Sequence, residues 1–199
     1  MNFKLGGPQK YLVFSEEVLR HFERQRQRGM FSKEAGGQLF ASYSGDSIVI
    51  AIATGPYPSD RRSRYRFTPD PVRAQQDIDT HFRQRRHFIG NWHTHPEEVP
   101  SPSPTDVKNT RRRFVESDHA LEAFVLVIVG LAPFPRGLYV SLLDAIRLNV
   151  LAHCSEESIS NTCPLYQPAV QARSLAGMAG TGSSKKAARS RKLPMQSSF

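Results

Sequence analysis

Cysteine is scarce: the 199 residues contain two, Cys154 and Cys163. A small secreted scaffold held by disulfides needs more. His153, Cys154 and Cys163 follow no zinc-ligand spacing and read as two plain thiols beside a histidine. Long apolar runs are also missing, and none approaches the roughly 20 residues of a membrane helix. The first ten residues are polar and rich in glycine and proline, without the basic-then-apolar profile of an export signal. The expectation is a cytoplasmic protein with no membrane partner. Acids are absent from Arg173 onward, where Arg173, Lys185, Lys186, Arg189, Arg191 and Lys192 supply +6 of the net +9 and leave +3 for the rest. A body so mildly basic argues against nucleic acid as the partner. From Gln171 the chain is mostly Ala, Gly, Ser, Lys and Arg, too poor in large apolar groups to offset the entropy of ordering, so a disordered tail is expected. That tail reads equally as a solvated extension, a nucleic-acid arm or a docking segment for an acidic partner. The expected organisation is a domain over 1–155 and a linker with a basic tail over 156–199.

What is present alternates between strand and helix patterns. Tyr11 to Phe14 reads as a short strand, and Ser15 caps a helix with Glu16 and Glu17 in its first turn. Val18, Leu19, Phe22 and also Arg26 fit the helical period, which runs to about Gly29, and Arg20, Arg24, Arg26 and Arg28 form a face that is usually solvated and only sometimes a docking surface. Gln38–Tyr43 and Ser47–Thr54 form a hairpin around Gly45-Asp46, with Ile48, Ile50 and Ile52 in a buried strand. Arg64–Phe67 reads as a short strand. Asp70-Pro71 opens a second helix whose inner face is Ala74, Ile78, His81 and Phe82. The continuous apolar run from Ala123 to Val129 suits a strand covered on both faces. Leu138–Leu143 and Ile146–Ala152 are the last strands. The alternation predicts a mixed sheet flanked by helices, an α/β (α+β) fold.

Between those patterns lies Gly90-Asn91-Trp92-His93-Thr94-His95-Pro96, followed by Ser103-Pro104-Thr105-Asp106. On a strand, residues two apart share a face, so His93 and His95 start about 6–7 Å apart and can converge on one ion. Trp92 then points to the opposite face, toward the core. Pro96 and Pro100 end the strand. Ser103 suits a helix N-cap, Pro104 the first helical position, and Asp106 the first turn. Two histidines from a strand and an aspartate from the next helix leave a fourth zinc position open, the catalytic pattern. Each piece alone is more often structural: a His-x-His pair is commonly a surface or core pair, and Ser-x-x-Asp is a helix cap. It is the combination that points to zinc, one ion per chain. His21, His81, His87, His119 and His153 lack partners at metal spacing and read as structural.

His93-x-His95, seven residues, then Ser103-x-x-Asp106 resembles the motif of the JAMM (MPN+, or JAB) zinc metalloproteases, and Glu34 in Lys33-Glu34-Ala35-Gly36-Gly37 sits where that family has its glutamate. The resemblance spans about 1–153. It implies a curved mixed sheet between helices, with His93, His95 and Asp106 as zinc ligands. It also implies Glu34 as the general base and Ser103 as the oxyanion-stabilising serine. The family removes ubiquitin-like proteins from lysine side chains or cuts after a C-terminal glycine. In size and pattern the chain is most similar to the bacterial stand-alone branch that includes the deconjugating isopeptidase of CBASS antiphage operons. The implied partner is a protein with an extended C-terminal tail, a ubiquitin-like conjugate or a cGAS-like nucleotidyltransferase. A peptidase for a sulfur-carrier precursor and a non-catalytic interaction module of the same fold are the alternatives.

Overall fold

The structure, a computed structural model, describes residues 1–6 and 10–154. Cys163 and the expected tail over 156–199 lie outside the described residues. In chain order the elements are β1 (Asn2–Lys4), β2 (Tyr11–Phe14), α1 (Glu16–Gln25), β3 (Gly36–Ser44), β4 (Ser47–Ala53), β5 (Arg61–Ser63) and β6 (Arg66–Thr68). They continue with α2 (Pro71–Arg83), β7 (His87–Thr94), α3 (Pro104–Glu116), β8 (Phe124–Val129), β9 (Leu138–Leu143), β10 (Leu148–Val150) and β11 (His153–Cys154). Nine strands form one curved, half-barrel sheet in the order β10-β9-β8-β7-β3-β4-β2-β1-β11, and β5 and β6 pair separately as a hairpin. The sheet is mixed: β2 runs parallel to β4 and β7 parallel to β8, with the other pairs antiparallel. The expected fold class is therefore the observed one. No helix among the described residues is long and apolar enough to cross a membrane.

The central strands are central because of what they carry. Every residue of β8 is buried, as a β-branched run without polar alternation requires. On one face Phe14, Phe22 of α1 and Trp92 pack ring to ring, with Phe14–Phe22 and Phe22–Trp92 centroids 6.2 and 5.0 Å apart. On the other face Phe40 meets His81 of α2 at 4.3 Å, and Phe88 and Phe114 of α3 both meet Phe124. Strand β7 changes parity between these contacts. Phe88 is opposite Phe40 but Gly90 is opposite Leu39, so β7 holds one extra residue there. Without that bulge Phe88 and His93, five apart, would point to opposite faces. With it His93 comes up on the α3 side while Ile89 and Trp92 both enter the core beneath α1. Gly90, at φ 154°, sits where a Cβ would lie 2.0 Å from the Val125 carbonyl oxygen. Close backbone approach at the bulge thus demands glycine.

Several expectations need correction. Helix α1 stops at Gln25, not near Gly29, because Arg26 and Gln27 turn inward. Arg26 is no solvated residue: its side chain is 4% exposed, donates to the Leu131 carbonyl at 2.6 Å, pairs with Glu23 at 2.7 Å and stacks over Phe134. Phe82 is 64% exposed, and Asp77 takes its place on the inner face of α2, receiving the Tyr57 hydroxyl at 2.7 Å. Of the three isoleucines in β4 only Ile50 is fully buried. The single strand expected at Arg64–Phe67 is the turn and second arm of the β5–β6 hairpin. The strand expected over Ile146–Ala152 is only Leu148–Val150, with Ile146 exposed ahead of it. Strands β1 and β11, which no local pattern announced, pair with each other, joining Asn2 and Phe3 to Cys154 and His153.

Candidate metal centre

His93 is the next-to-last residue of β7, opposite Gly36 of β3 and beside Ile128 of β8. His95 follows one residue past the strand, yet its N–H still reaches the Val129 carbonyl at 2.9 Å, so the backbone stays extended and both rings share a face. Thr94, between them, points the other way. Its hydroxyl donates to Gln27 Oε1 at 3.0 Å and accepts from the Ala35 N–H at 2.9 Å, and its own N–H donates to the Ala35 carbonyl at 2.8 Å. Gln27 in turn donates to the Ser32 and Arg64 carbonyls. This buried clasp ties the loop before β3 to β7 and places Glu34 beside the histidines. From the other side Arg62 Nε donates to the Glu34 carbonyl at 2.7 Å, and the Glu34 N–H donates to the Ser63 carbonyl at 2.7 Å.

Helix α3 brings Asp106. Ser103 caps it in a reciprocal box: Asp106 N–H donates to Ser103 Oγ at 3.2 Å, and Ser103 N–H donates to Asp106 Oδ2 at 2.8 Å. The Ser103 hydroxyl also donates to Asp106 Oδ2, at 2.7 Å. At rest, then, the serine serves the cap and the aspartate.

The polar atoms converge. His93 Nε2 and His95 Nε2 are 3.1 Å apart, and Asp106 Oδ1 and Oδ2 lie 3.4 Å from His93 Nε2 and His95 Nε2 respectively. Bonds of about 2.0–2.1 Å in a tetrahedron put neighbouring ligand atoms about 3.3 Å apart. All three separations are close to that edge, with a different Asp106 oxygen facing each histidine, so the donor set fits a divalent cation. Glu34 belongs to the same cluster: one ligand atom each from Glu34, His93 and His95 all lie within 4.8 Å of one another. Glu34, His93, His95 and Asp106 thus crowd one point.

The electrostatics suit cation binding. Burial drives His93 toward its neutral form, the form that ligates, although Asp106 opposes the shift. For His95 burial works in the same direction, but Asp106, Glu34 and Glu97 outweigh it and raise its pKa. Burial would raise Asp106, yet hydrogen bonds from His93, His95 and Ser103 hold it well below the usual carboxylate range, so it is ionised. Glu34, 7% exposed, is pushed up to about 7, chiefly by burial, with the nearby Asp106 adding to the shift and His95 and Arg62 opposing it. The centre opens into a cleft of about 660 Å³ between α3 and the β5–β6 hairpin, lined among others by Glu34, Phe67, His95, Asp106, Asn109 and Arg113. A larger hollow of about 710 Å³ lies outside the metal centre, between α3 and Leu148. It contains neither histidine nor Glu34, and the chemistry belongs to the smaller cleft.

All five residues singled out in the sequence therefore meet at one place. Of the histidines left structural, His21 packs on Trp92 at 5.2 Å, and His81 and His119 lie against Phe40 and Phe114. The Gln27–Thr94 clasp and the Arg62 contact were not anticipated. The one available signal was parity, which buries the middle residue of His-x-His. Nothing local announces Gln27.

A mixed sheet that presents His-x-His at a strand end, beside a helix-borne aspartate and a buried glutamate, defines a JAMM-type metal site. Residues 15–139 match the family of prokaryotic homologs of the JAB domain, and the chain belongs to that family. It is 33% identical over 123 residues to a CD-NTase/cGAS isopeptidase of Escherichia coli (strain TW11681), covering 60% of this chain and 76% of the relative. To the CD-NTase/cGAS isopeptidase of Vibrio cholerae serotype O1 it is 30% identical over 129 residues, covering 63% and 80%. The solution structure of protein DSY2949 from Desulfitobacterium hafniense shares the fold, with a TM-score of 0.51 at 19% identity, over 70% of this chain and 88% of that one.

Proposed function

We propose that the chain is a zinc-dependent isopeptidase. It cleaves after the C-terminal residue of a conjugated ubiquitin-like or cGAS-like protein, within bacterial antiphage (CBASS) regulation in the cytoplasm. The observation that carries the reading is the His93–His95–Asp106 triangle with a buried carboxylate, Glu34, beside it and poised near neutrality. The relatives named as CD-NTase/cGAS isopeptidases support the choice of substrate.

A zinc ion held by His93, His95 and Asp106 would supply an acidified water and a Lewis acid for the scissile carbonyl. The chain's own residues do the rest. Glu34 makes no hydrogen bond through its carboxylate among the described residues, so it is free to accept a proton from the attacking water. Burial raises the Glu34 pKa to about 7 in the metal-free centre, and beside a bound cation Glu34 would shift back toward the ionised form that takes the proton and later returns it to the leaving lysine amine. Ser103 can turn its hydroxyl toward the developing oxyanion by releasing Asp106 Oδ2, while the backbone half of the capping box keeps α3 in place. The β5–β6 hairpin is a two-stranded sheet beside the cleft, with strand edges on which an extended substrate tail can pair. The catalytic unit is the domain over 1–155.

The test is direct. The purified chain is incubated with an isopeptide-linked conjugate of a cGAS-like protein, with zinc and with a chelator. Cleavage that leaves the intact C-terminus, stopped by the chelator and restored by zinc, is expected. Cleavage that persists in chelator would overturn the metal-dependent reading.

A further inference from the structure

Arg113 lies on α3 seven residues after Asp106, about two turns or 10.5 Å along the axis, on the face that also carries Asn109 and the buried Thr110. Helical side chains lean toward the helix N-terminus, so its guanidinium reaches back toward the metal centre. It borders the 660 Å³ cleft and also a small inner recess of about 60 Å³ that touches Glu34, Asn91 and His93. Its charge is felt at the His93 ring, whose protonation it opposes. Among the described residues this half-buried guanidinium has no ion pair and no hydrogen bond.

Such a group is costly. A guanidinium partly withdrawn from water without a protein acceptor gives up part of its hydration, and burial pushes the Arg113 pKa down accordingly. The neighbouring arginines are differently employed. Arg64 donates to the Gly29 and Met30 carbonyls, and Arg112 faces Glu116 at 4.0 Å on the exposed side. Arg66 adds a further cation to the cleft wall. Among the described residues nothing pairs with the Arg113 guanidinium, yet it stands where a substrate tail would pass.

We propose that Arg113 is a specificity residue that reads a carboxylate side chain on the substrate's C-terminal tail, within about three residues of the scissile bond. This rests on the isopeptidase reading, in which a tail occupies the cleft. The distance follows from geometry: the backbone of Arg113 stands about 10.5 Å along α3 from Asp106 and its side chain leans back from there, so about three residues of extended chain at roughly 3.3 Å each is the outer limit of its reach. The chemistry follows from the fork of a guanidinium, which matches a carboxylate with two parallel hydrogen bonds. A neutral tail leaves Arg113 unpaired, and a lysine there meets Arg113, Arg66 and Arg112 together.

Two measurements on the full-length, zinc-loaded chain test this. In the first, conjugates whose tails carry Glu, Gln or Lys at each of the last three positions are cleaved by wild type, Arg113→Gln and Arg113→Lys, with zinc content checked for each. At one position the wild type is expected to prefer Glu over Gln by about tenfold in kcat/KM. Arg113→Lys keeps part of that preference, and Arg113→Gln brings the tails within about twofold. In the second, binding of the same tails as C-terminally amidated fluorescent peptides is followed by anisotropy. Amidation removes the terminal carboxylate, so any acid preference belongs to the side chain. Equal cleavage of all tails by the wild type, or an acid preference that survives Arg113→Gln, overturns the proposal and leaves the isopeptidase reading intact. Absence of cleavage together with Arg113-dependent binding of the acidic peptide overturns the isopeptidase reading and keeps the subsite. Absence of both overturns both.

Discussion

Replacing Thr94 by valine isolates the clasp that sets Glu34. Thr94 is fully buried and valine has nearly its shape, so no cavity opens. What disappears is one hydroxyl with two partners: the Ala35 N–H at 2.9 Å and Gln27 Oε1 at 3.0 Å. Gln27 is itself only 2% exposed, so water cannot replace the hydroxyl on that side. An orphaned buried donor or acceptor costs about 1–3 kcal/mol, and a cost of about 2–4 kcal/mol for the pair is expected. For a chain of this size that lowers Tm by roughly 5–15 °C. Because Ala35 follows Glu34, the same change should slow cleavage without removing metal. The assay is urea unfolding of Thr94→Val, Gln27→Leu and the double variant. The two residues share one bond, so a coupling of about 0.5–3 kcal/mol is expected. A loss under about 0.5 kcal/mol in Thr94→Val, with additive effects, would refute the clasp as the device that fixes the loop.

Further outcomes follow from the same geometry. His93→Ala and Asp106→Ala should each lose most bound zinc on metal analysis, because each removes a corner of the triangle; near-stoichiometric zinc in both would place the ion elsewhere. Gly37→Ala should be destabilised by more than about 2 kcal/mol in chemical unfolding, since its Cβ would fall 1.8 Å from the Thr54 carbonyl oxygen, a backbone atom held by Trp92 Nε1. Stability of the chelated protein should depend on pH through Glu34, whose pKa rises from 4.5 to about 7 on folding. The folded state then holds the extra proton between those values, so stability falls as pH rises from about 4.5 to 7. Thermal unfolding should show Glu34→Gln gaining on the wild type by roughly 3 kcal/mol across that window; a constant difference would mean that Glu34 titrates normally.

The site was legible in the sequence for a physical reason. His93, His95, Ser103 and Asp106 lie within fourteen positions, and their geometry follows from local rules: strand parity for the histidines, a cap and first turn for the serine and aspartate. Glu34 is distant in sequence and was reached through the family pattern alone. The buried run of β8 was legible because continuous β-branched residues have few other uses. What failed were features decided at long range. Strands β1 and β11 exist because Asn2 and Phe3 find Cys154 and His153, a pairing with no local signature. The early end of α1 depends on Leu131 offering a carbonyl to Arg26, 105 residues away, against the rule that arginine stays in water. The β7 bulge that brings Phe88 and His93 to one face is written in the closeness of Gly90 to β8, which appears only once the sheet is assembled.

The central claim is that Glu34 moves the proton in a metal-dependent amide hydrolysis. The measurement that tests it most directly is single-turnover cleavage of a glycine-terminated isopeptide conjugate by wild type and Glu34→Gln, with zinc content and conjugate binding determined on the same samples. Glutamine keeps the size of the side chain and lacks the base. Equal zinc, equal binding and a cleavage rate at least about 10²-fold lower are expected of Glu34→Gln. Cleavage at the wild-type rate with zinc in place would contradict the account.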